Sequence, residues 1–165
     1  MAESIETLEE EEEDTMEGKF LSFPLNNVLY GIAIRYVTEV IRFQEITSVP
    51  HMPSFVKGVI NLRGRVIPVM DVRLRFLLPE RAYDDRTCIV VVNMEGTSVG
   101  LIVDTVSGVV PIPKEQVEPP PRARKSNEAR FISGMGKLGT RVTILLEVSK
   151  LLEEKELGQL QEAAA

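Results

Sequence analysis

The sequence predicts an all-β protein built from a duplicated unit, each copy holding four or five short strands. Three observations predict it. Runs rich in Val, Ile and aromatic residues are 5–8 residues long and are broken by two-residue turn signals. The pattern then repeats: YGIAIRYVTEVI (30–41) lies over VGLIVDTVSGVV (99–110) at an offset of 69. FVKGVINLRGRVIPVMDV (55–72) lies over FISGMGKLGTRVTILLEV (131–148) at an offset of 76. Finally, no apolar run reaches the roughly 18 residues of a membrane-spanning helix.

In chain order, residues 1–17 carry nine of the 25 acids and no Lys or Arg, leaving 16 acids against 19 bases in the body. Such a leader has too little apolar surface to offset its ordering entropy, so it is expected to be disordered. Its acidity also excludes a secretory signal. KFLSFPL and VLYGIAI flank Asn26-Asn27, a hairpin signature. VTEVIRF (37–43) is a further strand, and the two prolines of ITSVPHMP (46–53) mark an irregular connection.

GVINLRGRVIPVMD (58–71) reads as strand, turn and strand around Arg63-Gly64. Pro68 cannot donate to a ladder, which predicts an edge strand or a strand end there. Asp71 is placed to cap a short helix over 71–78, ending before Pro79. Polar residues 80–86 form a boundary, so the folded part divides into about 18–83 and about 84–152. TCIVVVNMEGTSVGLIV (87–103) turns at Glu95-Gly96, and 111–130 is a Pro-rich, then basic connection. Leucines 151, 152, 157 and 160 predict an amphipathic C-terminal helix able to cover the seam between the copies or a sheet edge, and 153–165 is assigned as the C-terminal helix and tail. Units of about 65 residues are marginal alone, so the copies are expected to share an apolar core. Val37, Val40, Val106 and Val109 are assigned to that core.

Little supports catalysis or a cofactor. A single His (His51) and a single Cys (Cys88) cannot build a multi-ligand zinc site or a persuasive nucleophile–base pair. Cys88, inside CIVVV, is expected to serve as a small buried hydrophobe. Asp84-Asp85 lacks the alternating ligands of a calcium loop. Gly134, Gly136 and Gly139 fit G-x-G-x-x-G, but TRVTILLEV follows as a strand, and a dinucleotide site needs a helix there. A single-stranded nucleic-acid-binding barrel is the rival from another class. Its arginines are present, but there are only nine aromatics and several of them (Phe20, Phe23, Phe55 and Phe131) fall at core positions, so little stacking surface remains.

The combination of Tyr30-Gly31-Ile32, the string Gly58…Asn61-Leu62-Arg63-Gly64…Pro68…Asp71, and Val99-Gly100 resembles the CheW family of chemotaxis coupling proteins. The resemblance spans about residues 18–152. It implies two SH3-like five-stranded β-barrels around a shared hydrophobic core, with short helices, no enzymatic activity and no cofactor. It implies a cytoplasmic adaptor, held at the inner face of the membrane through receptor arrays and not inserted in the bilayer. Its implied partners are the cytoplasmic tip of methyl-accepting chemoreceptors and the regulatory domain of the histidine kinase CheA. A related chemosensory pathway with another output, such as surface motility, is the alternative. The sequence is expected to be neither the receiver-fused relative CheV nor a piece of CheA. The resemblance points to Arg63 and Glu39, with Val37 beside them, as partner-contact residues. It places the family's paired glycines at Gly58 and Gly134. Asn61, Gly64, Val99 and Gly100 complete the implied contact set.

The repeat supplies a control for these residues. The turn is Leu62-[Arg63-Gly64]-Arg65 in one copy and Leu138-[Gly139-Thr140]-Arg141 in the other, where Gly-Thr suits a type II′ geometry. Glu39 is replaced by Gly108. The fold needs a glycine in the turn, whereas Arg63 and Glu39 exceed what it repeats.

Overall fold

The computed structural model describes residues 16–120, 129–153, 156, 158–160 and 162. Most of the acidic leader, most of the basic connection and Leu157 lie outside the described residues. Among the described residues, eleven strands form two sheets: β1 (Lys19–Leu25), β2 (Val28–Ala33), β3 (Val37–Arg42), β4 (Val56–Leu62), β5 (Arg65–Asp71), β6 (Cys88–Met94), β7 (Thr97–Val103), β8 (Gly108–Pro111), β9 (Val117–Glu118), β10 (Ile132–Leu138) and β11 (Arg141–Leu146). One short helix, α1 (Val72–Arg75), and a few 3₁₀ turns complete the named elements.

The hairpin turns follow their residues. Asn26-Asn27, Arg63-Gly64 and Glu95-Gly96 all have two consecutive positive φ angles, the type I′ pattern that matches strand twist. Arg63 thus sits at φ 51°, a conformation uncommon for a residue with a side chain. Asn61 Oδ1 accepts from Gly64 N at 2.9 Å, and Asn93 Oδ1 accepts from Gly96 N at 2.8 Å, so both turns are tied by an asparagine. At Gly139-Thr140 only the glycine (φ 60°) has a positive φ.

One sheet runs β8-β1-β2-β11-β10-β9 and the other β3-β6-β7-β5-β4. Applying the two offsets turns β1, β2, β3, β4 and β5 into β6, β7, β8, β10 and β11, and the first five-strand order becomes the second. Each sheet therefore mixes strands from both halves of the sequence. The joins are parallel: β2 meets β11 with Gly31 opposite Leu145, and β5 meets β7 with Val69 opposite Gly100. Equivalent bulges fall at Val56/Gly58 and Ile132/Gly134. Each sheet also closes on itself. Thr47, just beyond β3, exchanges two 2.9 Å backbone hydrogen bonds with Val59 of β4, and β9, just beyond β8, pairs with β10. The result is two five-stranded barrels, called here the β1 barrel and the β6 barrel.

The barrels share one core. Leu21, Phe23, Leu25, Tyr30 and Ile32 of the β1 barrel pack with Met70, Val90, Val92, Val99, Leu101 and Val103 of the β6 barrel. Each of these is at most 4% exposed, and burying a side chain of this size is worth about 1.5–3 kcal/mol. The C-terminal segment reaches this core through Leu151, Leu152 and Leu160, with helical residues at Glu156, Gly158–Leu160 and Glu162. Leu151 and Leu152 themselves lie in a bend ahead of those helical residues. The interior of the β6 barrel is a second cluster of Ile60, Ile67, Val69, Ile89, Val91 and Ile102.

Four other expectations are corrected. Val40 and Val109 are 41% and 51% exposed, because β3 and β8 are outermost strands whose outer faces extend past the shared core. Val37 and Val106 pack only partly against that core. β5 is an interior strand despite Pro68, since its ladder to β7 begins one residue later at Val69. Asp71 does cap α1, accepting from Leu74 N at 3.3 Å, but that helix is a single turn. Cys88 is half-buried, not buried.

Candidate docking site

Sheet closure brings the two singled-out charges together. Glu39 lies on β3 and Arg63 at the β4–β5 tip, on opposite sides of the seam that Thr47 closes. Arg63 Nη1 donates to Glu39 Oε2 at 2.8 Å. Beside them Gln44 Nε2 donates to the Asn61 carbonyl at 3.0 Å. The bulge between Val37 and Glu39 places Glu39 opposite Val91, a residue of the barrel interior. The pair is therefore uneven: the Arg63 side chain is 74% exposed and that of Glu39 only 26%. Glu39 Oε1 is buried and has no hydrogen-bond partner. A buried acceptor without a donor costs about 1–3 kcal/mol.

The remaining sequence-derived residues divide by burial. Asn61 and Gly64 are exposed at the hairpin tip next to Arg63, and Val37 is half-buried at the start of β3. Gly58, Val99, Gly100 and Gly134 are buried. A Cβ on Gly58, which has φ 145°, would stand 2.0 Å from the Thr47 carbonyl oxygen. One on Gly134 would meet the Glu118 oxygen at 3.0 Å, and one on Gly100 would meet Val69 Cγ1 at 2.7 Å. These glycines permit barrel closure and the parallel strand join.

Several contacts escape a sequence reading. Arg75 is 7% exposed, and its guanidinium lies 4.3 Å from the Phe55 ring centre and 5.0 Å from that of Phe131. Those phenylalanines are repeat equivalents. Arg75 Nε donates at 2.7 Å to the carbonyl of Leu151, its own repeat equivalent, and Nη2 donates to Glu156 at 3.0 Å. Arg75 thus stands where the copies meet. Burial lowers its pKa, opposed by the Glu156 charge. Arg73 grips Asp104 through two nitrogens, at 2.8 and 2.7 Å, and that hydrogen bonding raises its pKa. Asp104 also accepts from Arg81 at 3.1 Å. Tyr83 donates to Asp71 at 2.7 Å and packs on Phe43 with ring centres 4.6 Å apart. The only sequence signal for Tyr83 is one aromatic in a charged stretch.

Among the described residues no cluster of His, Cys, Asp or Glu could hold a metal ion. Among the described residues, no helix is long and apolar enough to cross a membrane. Two barrels sharing a core, with an unevenly exposed charge pair at the hairpin of the β6 barrel, define a docking module. The chain matches the family described as CheW-like domain over residues 19–156, and it belongs to that family of chemotaxis adaptor and scaffold proteins. It is 36% identical over 151 residues to the chemotaxis protein CheW of Klebsiella aerogenes, covering 92% of this chain and 91% of that one. It is 34% identical over 139 residues to protein FrzA of Myxococcus xanthus, covering 83% and 86%. The crystal structure of the scaffolding protein TtCheW from Thermoanaerobacter tengcongensis superposes with a TM-score of 0.78 at 36% identity, covering 84% of this chain and 94% of that one.

Proposed function

We propose that this chain is a non-enzymatic adaptor coupling methyl-accepting chemoreceptors to the regulatory domain of the histidine kinase CheA, in arrays on the inner face of the membrane. The observation that carries this reading is the Arg63–Glu39 pair. The other barrel has a seam pair too, Lys137–Glu118, but there both side chains are about half exposed, whereas Arg63–Glu39 exposes its guanidinium and leaves a sheltered carboxylate oxygen without a donor. A partner donor reaching Glu39, or a partner carboxylate reaching Arg63, finds an interaction the free protein leaves incomplete. Asn61, Gly64 and Val37 shape the rim, while Gly58, Val99, Gly100 and Gly134 hold the scaffold beneath it. Nearby Val40 and Val66 (41% and 47% exposed) supply apolar area, so charges set specificity and valines contribute affinity.

An exposed ion pair is worth about 0–1 kcal/mol to the fold. Arg63→Glu is therefore expected to leave the melting temperature within about 2 °C, while weakening receptor or kinase association at least tenfold by calorimetry. Normal affinity for both partners would remove the pair from the interface. A nucleic-acid role is disfavoured because Arg63, Arg73, Arg75 and Arg81 all have carboxylate partners within the chain. Similarity to FrzA, whose name carries no reference to chemotaxis, keeps a chemosensory pathway with another output as the second reading.

A further inference from the structure

The two barrels have equivalent mouths, and one of them is plugged. In the β6 barrel the segment after α1 folds back so that Tyr83 packs on the interior cluster, lies tilted against Phe43 and donates to Asp71. In the β1 barrel the chain after β11 runs instead to the shared core through Leu151 and Leu152. A cleft of about 830 Å³ opens at that mouth. Its lining includes Phe20, Ala33, Ile112, Val117, Leu145 and Glu147. By the two offsets five of these correspond to Ile89, Ile102, Phe43, Val69 and Asp71, and Val117 corresponds to Ile46 by its place at the closing seam, because Glu118 faces Met135 as Thr47 faces Val59. The apolar ones belong to the cluster against which Tyr83 packs, and Asp71 accepts its hydroxyl. The cleft therefore lies where the other barrel holds its tyrosine.

We infer that the mouth of the β1 barrel is a receptor site for a tyrosine on an acidic segment of a partner polypeptide. Ala33 for Ile102 and Ile112 for Phe43 remove bulk while Phe20 for Ile89 and Leu145 for Val69 add some, and the cleft itself is the room left for a ring. Glu147, half-buried and hydrogen-bonded only at its Oε1 by Ser149 among the described contacts, offers a carboxylate where Asp71 accepts the Tyr83 phenol. Lys19, Arg35 and Lys114 stand around the opening, the last of them paired at 3.3 Å with Glu17, which also lines it, so the basic side of the rim rests on Lys19 and Arg35. They complement a segment like the chain's own plug, in which Glu80, Asp84 and Asp85 flank Tyr83. Tyr36, also on the rim, is not the plug. Its hydroxyl accepts from Arg35 at 3.0 Å, and its ring packs toward the shared core. The acidic leader enters beside the cleft at Met16, but residues 1–15 contain no aromatic residue that could fill it. This site is separate from the Arg63 hairpin and does not depend on the pairing proposed for it.

The test titrates full-length protein into a fluorescein-labelled ERAYDD peptide, with ERAFDD and ERAADD as controls, read by anisotropy. The tyrosine peptide is expected to bind at least tenfold more tightly than the alanine peptide and severalfold more tightly than the phenylalanine one. Ala33→Ile, which restores the residue of the plugged barrel, should abolish binding with an unchanged melting temperature. Glu147→Gln should erase most of the preference for tyrosine over phenylalanine while keeping the fold. Equal binding of all three peptides, or full binding by Ala33→Ile, overturns the site. Deleting residues 1–15 should change affinity less than twofold. A tenfold gain on deletion would make the leader the occupant and overturn the proposal equally.

Discussion

Gly58 and Gly134 occupy equivalent bulges and carry unequal loads. At Gly58 an added Cβ meets a backbone oxygen at 2.0 Å and the φ of 145° disfavours any side chain. At Gly134 the nearest atoms stand at 3.0 Å and φ is not positive. Gly58→Ala is expected to cost about 3 kcal/mol or more and Gly134→Ala about 1 kcal/mol, measured by urea denaturation. Equal costs would show that the seam at Thr47 relaxes as easily as the one at Glu118. The sequence alone exposes the pairing of these glycines through the repeat, but not the difference, which depends on how close the strand across each seam lies. Arg63 and Glu39 were legible for the opposite reason: the repeat lacks them, so the fold does not require them. Their mutual contact was not legible, because β3 and β4 are at opposite ends of the strand order and meet only when the barrel closes.

The loop joining α1 to β6 reads in sequence as a polar boundary, yet it closes a barrel. A single tyrosine among charges gives no periodicity, and its partner Asp71 is twelve residues away and already reads as a helix cap. Burial, reinforced by the Asp71 carboxylate, pushes the Tyr83 phenol well above its ordinary pKa. The folded state therefore favours the neutral phenol. The stability this contributes is fully present below the unfolded value near 10 and is lost as pH rises above it. Tyr83→Phe keeps the ring but loses a hydrogen bond to a charged acceptor, costing about 1–2 kcal/mol at pH 7. The variant should also show a flatter decline in stability between pH 9 and 11 than the parent. Parallel alkaline profiles for the two proteins would mean that Tyr83 ionises freely in the folded state.

At the scale of the molecule the repeat was legible and the strand exchange was not. Identity between the copies reports which residues share a role, but it does not say which copy pairs with which. The parallel joins decide that: β2 needs β11, and β5 needs β7. Residues 18–83 alone would present β3 without β6 and β1 without β8, leaving open ladders beside an uncovered apolar face. The shared core takes its largest buried side chains from both halves, including Phe23, Met70, Leu101 and Phe131. Neither half can then bury enough surface to offset its chain entropy. Fragments 1–86 and 87–165 are accordingly expected to be unfolded separately, with collapsed amide dispersion in two-dimensional NMR. Mixed in equal amounts, they should recover the dispersed spectrum of the intact chain. The intact chain should unfold in one transition by circular dichroism and by tyrosine fluorescence alike. A dispersed spectrum from either fragment alone would show that one barrel folds without the other's strands, and the exchange would then be a docking arrangement with no part in stability.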